Sequence, residues 1–166
     1  MKNCVVRKWI VCVVLIFSGL VRAQEELGEQ IYKAIEANNL EAIKGLIVTT
    51  EDIIATLDHF DMDTNRREKV KRSLVEKVEQ DMPLTVATIE KGFNTIQAVF
   101  SSKKCKKGHS MGKISHNINV VNGLPFEIGA LEIEIVCGKH LEKMTVEVIH
   151  TESGWYILEK LRLLPQ

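Results

Sequence analysis

The sequence predicts an α+β domain in which amino-terminal helices pack on one face of a carboxyl-terminal, four-stranded antiparallel meander. Three observations predict it. Apolar residues recur at helical spacing from about residue 25 to 101, and from about 113 to 164 they alternate with polar ones. A chain of 166 residues, 45% hydrophobic, is long enough for one core, and 10 Gly with 3 Pro are too few for a fibrous or low-complexity chain. Lys+Arg and Asp+Glu both total 22, so no basic surplus marks a nucleic-acid binder.

The amino terminus reads as an export signal. Lys2, Arg7 and Lys8 precede an apolar run from Trp9 to Val21, and Val21-Arg22-Ala23 supplies small residues three and one before a cut. These are the parts of a secretory signal peptide spanning 1–23, cleaved after Ala23. Roughly a dozen apolar residues fall short of the ~20 that cross a bilayer, so no membrane span is expected after cleavage. Gln24 stands where a lipid-accepting cysteine would be. Cleavage takes away Lys2, Arg7, Lys8 and Arg22 and no acid, leaving 24–166 with four more acidic than basic residues. That balance further disfavours a nucleic-acid partner, and the expected location is the periplasm or the exterior.

The helices follow in order. Leu27, Ile31, Ala34 and Ile35 form one stripe of a helix from about Glu25 to Asn38. Asn39 is an N-cap for a second helix whose apolar face is Leu40, Ile43, Leu46 and Ile47, running to about Val48. Thr50 has cap chemistry for a third, with Glu51 and Asp52 favoured in its first turn and Ile53, Ile54, Leu57 and Phe60 as its stripe. From about Thr64, Val70, Leu74, Val78 and Met82 repeat every four residues. Pro83 then interrupts it, either in the first turn of a new helix capped by Asp81 or as a kink, and Val86, Ile89, Phe93, Ile96 and Phe100 favour a separate helix from 83 to about 101. The segment from Ser101 to Gly108 reads as a basic linker.

Four strands come next, centred on Ile114–Val120, Leu131–Ile135, Met144–Val148 and Trp155–Leu163, with turns at Asn122 to Phe126, Gly138-Lys139 and Thr151 to Gly154. Opposed residues in a hairpin have a constant index sum. The first turn is expected to set Ile114 against Ile135, His116 against Ile133 and Ile118 against Leu131. The second sets Cys137 against His140 and Ile133 against Met144; the third sets Val148 against Ile157 and Met144 against Leu161. All three registers agree on one apolar face, which a slip of one residue would destroy.

Helices first and a curved antiparallel meander last is the order of the cone-shaped nuclear transport factor 2-like and cystatin-like superfamily. The run Ala34-Ile35-Glu36-Ala37-Asn38-Asn39-Leu40-Glu41-Ala42-Ile43-Lys44, then Thr50-Glu51-Asp52, then Ser153-Gly154-Trp155-Tyr156-Ile157-Leu158 resembles small exported bacterial proteins of unknown function in that group, over about residues 25–164. The resemblance implies a pocket between helices and sheet for small molecules or peptides, and some members are isomerases or cyclases. It assigns no catalytic residue here.

Few residues carry candidate chemistry. Cys105 and Cys137 leave three readings open: a disulfide, two free thiols, or a metal site completed by His109 and His140. The disulfide is the ordinary outcome in an exported chain, and no metal or cofactor is assigned. His116 and Glu159 project toward the apolar sheet face by parity, where a carboxyl would resist ionisation. Asp61, Asp63 and Asn65 copy the start of an EF-hand loop, but Arg66 and Arg72 replace its glycine and its bidentate glutamate. The leading expectation is a non-enzymatic exported module with its pocket at His116, Ile133, Met144 and Glu159, holding a small ligand or peptide. A second is a small isomerase- or cyclase-like enzyme using His116 and Glu159. A third is an interaction module whose outer sheet face exposes Val136, Ile149, Tyr156 and Leu158 to a second copy or another exported protein.

Overall fold

The computed structural model of the chain describes residues 24–121 and 124–164. The signal-peptide reading of 1–23 lies outside them. No helix of the described residues is long and apolar enough to cross a membrane.

Helix α1 covers 24–36. It lies so close to residues 111–112 that a β-carbon on Gly28 would overlap the Met111 carbonyl oxygen. Helix α2 (Leu40–Lys44) starts at Asn39, whose side-chain oxygen accepts from the Ala42 N–H at 3.0 Å. It stops short of the expected Val48 because the chain straightens. The Ile157 N–H donates to the Leu46 carbonyl at 2.8 Å and the Val48 N–H donates to the Ile157 carbonyl at 2.9 Å, a parallel bridge centred on Ile47. Helix α3 (Thr50–Leu57) is capped by Thr49, not Thr50. The Thr49 hydroxyl accepts from the Asp52 N–H and the Asp52 carboxylate accepts from the Thr49 N–H, so two otherwise orphaned donors are satisfied together.

Helix α4 (Thr64–Lys103) runs unbroken for 40 residues, with Pro83 inside it. The separate helix expected from 83 is therefore corrected. Proline withholds one N–H from the Glu79 carbonyl, a cost of about 3 kcal/mol, and packing on both sides of the site holds the axis together. Asp63, one of that acidic group, caps the start by accepting from the Arg66 N–H at 2.9 Å. Lys104, at φ 49°, ends it.

The supposed linker carries a strand. Strands β1 (Cys105–Lys107), β2 (Lys113–Val121), β3 (Leu124–Cys137), β4 (His140–Thr151) and β5 (Gly154–Leu163) form one antiparallel sheet, with β1 and β2 both on the same side of β3. β1 occupies Ile135 to Cys137, so β2 pairs four residues further along than expected, with Ile114 opposite Leu131 and His116 opposite Gly129. The first turn shrinks accordingly, and Leu124 and Phe126 belong to β3. The second register has Cys137 opposite His140 and Ile133 opposite Met144. The third has Val148 opposite Ile157, but a bulge inserts extra residues into β5 near Lys160, at φ 52°, and Met144 faces Leu163 in place of Leu161.

Helices cover both faces of the sheet, correcting the one-sided roof. One core cluster joins α1, α2 and the later half of α4 (Ile89, Phe93, Ile96) to Leu131, Ile133, Ile135, Met144, Val146, Val148 and Ile157. The other joins α3 and the earlier half of α4 (Val70, Leu74) to Leu124, Phe126, Ile128 and Ile149. The pairing of β3 with β4 is unbroken from Ile128 to Cys137, so Ile128 and Leu131 point to opposite faces. Ile47 and Val48, adjacent in the chain, enter different clusters. A helix about 60 Å long that serves both clusters passes the sheet at its β5 edge. Gly92 marks the crossing, since a β-carbon there would overlap the Leu161 carbonyl oxygen.

The end of α4 is tied to the sheet twice. Lys103 forms a 2.6 Å ion pair with Glu142, whose side chain is 4% exposed, and Cys105 is disulfide-bonded to Cys137, the residue it faces. Lys107 pairs with Glu29 of α1. Half of the basic run is thus engaged in holding elements together.

Candidate functional site

The candidate site is a cleft of about 430 Å³ between the middle of α4 and the face of the sheet that bears the second cluster. It arises where α4 leaves one cluster for the other. Along the stripe, Leu74 is buried, Val78, Met82 and Thr85 are half-buried, and Ile89 is buried again in the opposite cluster. Over the intervening turns the helix cannot touch either core fully, and the gap beneath it is the cleft. Ile47 and Val48, Ile53 of α3, and Phe126, Ile128, Ile149 and Leu158 of the sheet line it with α4.

The walls are aliphatic and aromatic, and charge is confined to the lip. Lys77 and Asp81, one turn apart on α4, line it, as does Glu159 on β5. The Glu159 carboxylate lies 3.2 Å from the Lys160 ammonium, which also lies 3.6 Å from Glu147. The Glu159 hydrogen bond, then the Glu147 and Glu159 charges, raise the Lys160 pKa above the usual lysine range. Leu84, just after Pro83, stands 72% exposed at the mouth. An apolar trough with a zwitterionic lip can take up the apolar body of a ligand and leave its polar end in water. Among the described residues lining it there is no histidine, cysteine or serine; the polar groups are Thr85, Lys77, Asp81 and Glu159.

Of the expected pocket residues whose side chains are described, Glu159 lines the cleft and Ile133 and Met144 do not. Ile133 and Met144 face each other, both at 0% exposure, in the filled core on the opposite side. Burial of each is worth roughly 1.5–3 kcal/mol to the fold. Glu159 reaches the lip because the β5 bulge sets it opposite Glu147 and turns it away from the core. His116 lies on β2, with β3 and β4 between it and β5, and its side chain is outside the described residues. The two proposed acid–base groups are therefore not neighbours in the sheet.

The face expected to be bare is also corrected. Ile149 is 4% exposed and Tyr156 and Leu158 are packed against the second cluster, because α3 and the first half of α4 lie over them; Val136 is half-buried. Burial, then the nearby Asp52 carboxylate, raises the Tyr156 phenol pKa. With both sulfurs in the disulfide, the Cys105, His109, Cys137 and His140 metal reading has no thiolate to offer. Among the described residues no group of three or more His, Cys, Asp or Glu is placed to hold a metal ion.

The lining residues Phe126, Ile128, Ile149 and Leu158 are readable from the sequence as strand residues but not as cleft residues. Their inward partners are on α3 and α4, more than forty residues away, and no local pattern reports that distance. Comparison of the chain with protein-family models, with curated proteins and with solved structures gives no match.

Proposed function

We propose that the protein is a non-enzymatic binding module that works after export and holds the apolar body of a small amphipathic molecule in the cleft beneath α4. The observation that carries this reading is the cleft itself. Its volume of about 430 Å³ falls in the range of small-molecule sites, its walls are apolar, and its charged groups stand at the lip. The Cys105–Cys137 disulfide supports an oxidising compartment, in keeping with the basic and apolar leader. The order of helices before an antiparallel sheet supports the proposed kinship with the nuclear transport factor 2-like and cystatin-like superfamily.

The test uses Nile red as an apolar probe and Thr85→Trp as a plug. Thr85 is half-buried on the cleft wall, so an indole there fills the cavity without entering either core. The native chain is expected to bind the dye with one-to-one stoichiometry, and the plugged variant to bind it at least roughly tenfold more weakly, a loss of about 1.4 kcal/mol. Equal binding by the two proteins overturns the assignment.

A further inference from the structure

We propose that the protein forms a two-fold dimer in which the outer edge of β2 pairs antiparallel with the same edge of a second copy. Among the described residues, β2 is hydrogen-bonded to β3 and to no other strand. Among the described residues no turn, loop or helix cap supplies a backbone hydrogen bond to its far side. The opposite border of the sheet is closed by contrast, with Leu46 and Val48 bonded to Ile157 and α4 lying on Leu161.

The register shows which groups are left over. Val121 faces Leu124 across a two-residue connection, and at that distance the pair must be a hydrogen-bonded one, since the alternative would need bonds between adjacent residues. Odd-numbered residues of β2 therefore direct their N–H and C=O groups at β3. Ile114, His116, Ile118 and Val120 direct theirs away from the sheet. A nine-residue border with four outward-facing residues is long for an unprotected edge, and such edges are templates for another strand.

The chemistry of β2 favours a second copy as that strand. Aligned antiparallel about Asn117, Ile114 meets Val120 of the second copy and His116 meets Ile118, so every outward-facing residue meets an outward-facing one. Four hydrogen-bonded pairs give about eight bonds between the chains. The strand contains no proline and no acid. Its single lysine, Lys113, falls opposite Val121 of the copy, not opposite another lysine. Ser115 and Asn119, both exposed, face each other across the axis. The contact is isologous and closes on itself, as two-fold assembly requires.

Light scattering and sedimentation on the chain purified from an exporting host test this. The unaltered chain is expected to be a dimer. Ser115→Lys with Asn119→Lys sets like charges opposite each other at two places and is expected to weaken the dimer by roughly tenfold or more. Ser115→Lys with Asn119→Glu sets opposite charges there and is expected to keep it, which also shows that a lysine at 115 is compatible with folding. A monomeric unaltered chain, a dimer indifferent to the double lysine, or a lysine–glutamate variant that stays monomeric each overturns the proposal.

Discussion

Gly92→Ala opposes a local rule to a tertiary one. Within a helix, alanine is favoured over glycine by about 1 kcal/mol, so the helix alone would gain stability from the change. At residue 92 the added carbon would overlap the Leu161 carbonyl oxygen and lie 2.8 Å from its carbonyl carbon. Both are backbone atoms and neither can rotate away. Relief requires α4 to lift from β5, loosening Phe93 and Ile96, which are 2% and 0% exposed. Overpacking of a tight core costs about 1–3 kcal/mol, and a rigid neighbour puts this case at the upper end, for a net loss of about 2 kcal/mol. Urea unfolding followed by circular dichroism measures it. The control is Asn94→Ala, two residues on and exposed, where the propensity gain of about 0.5 kcal/mol should appear unopposed. Should Gly92→Ala prove as stable as the native chain, or more so, the close crossing of α4 over β5 would be refuted.

Further outcomes follow from other contacts. Replacing both Cys105 and Cys137 by alanine opens a bridge of sequence separation 32 and is expected to cost about 3–4 kcal/mol in urea unfolding; a loss below about 1 kcal/mol would show that β1 is held without it. Tyr32, 4% exposed, has its phenol pKa pushed up to about 12 by burial and then by its hydroxyl's 3.0 Å hydrogen bond to Glu36. Because the fold holds that proton more tightly than the unfolded chain, its contribution to stability is complete below pH ~10 and is lost as pH rises toward about 12. The absorbance of tyrosinate during alkaline titration checks this: both tyrosines should ionise above the ordinary range, and a single step near pH ~10 would contradict the burial of Tyr32.

Features set by neighbours in the chain are legible in the residue order alone. The stripe of Leu27, Ile31 and Ile35, the Asn39 cap and the alternation through Leu131, Ile133 and Ile135 are short-range patterns. The hairpin that places Cys137 opposite His140 needs only its turn and its alternation. β1 is illegible because three residues, two of them lysine, carry no period. Its presence displaces the expected pairing of β2, since two strands cannot share the same stretch of β3. The β5 bulge is equally hidden: a non-glycine residue at positive φ leaves no mark in an alternating pattern, and it moves Glu159 from the core to the cleft lip.

Residue order alone shows helices before strands, the apolar stripe of each helix and the alternation along the longer strands, because hydrophobic spacing and end-capping act over a few residues. Only the tertiary structure decided that α4 continues through Pro83, that helices lie on both sides of the sheet, and that the open volume sits opposite Ile133 and Met144. Those outcomes depend on how a helix of fixed pitch spans two separate cores. Where it spans them it leaves space, and no spacing of residues along the chain encodes that space.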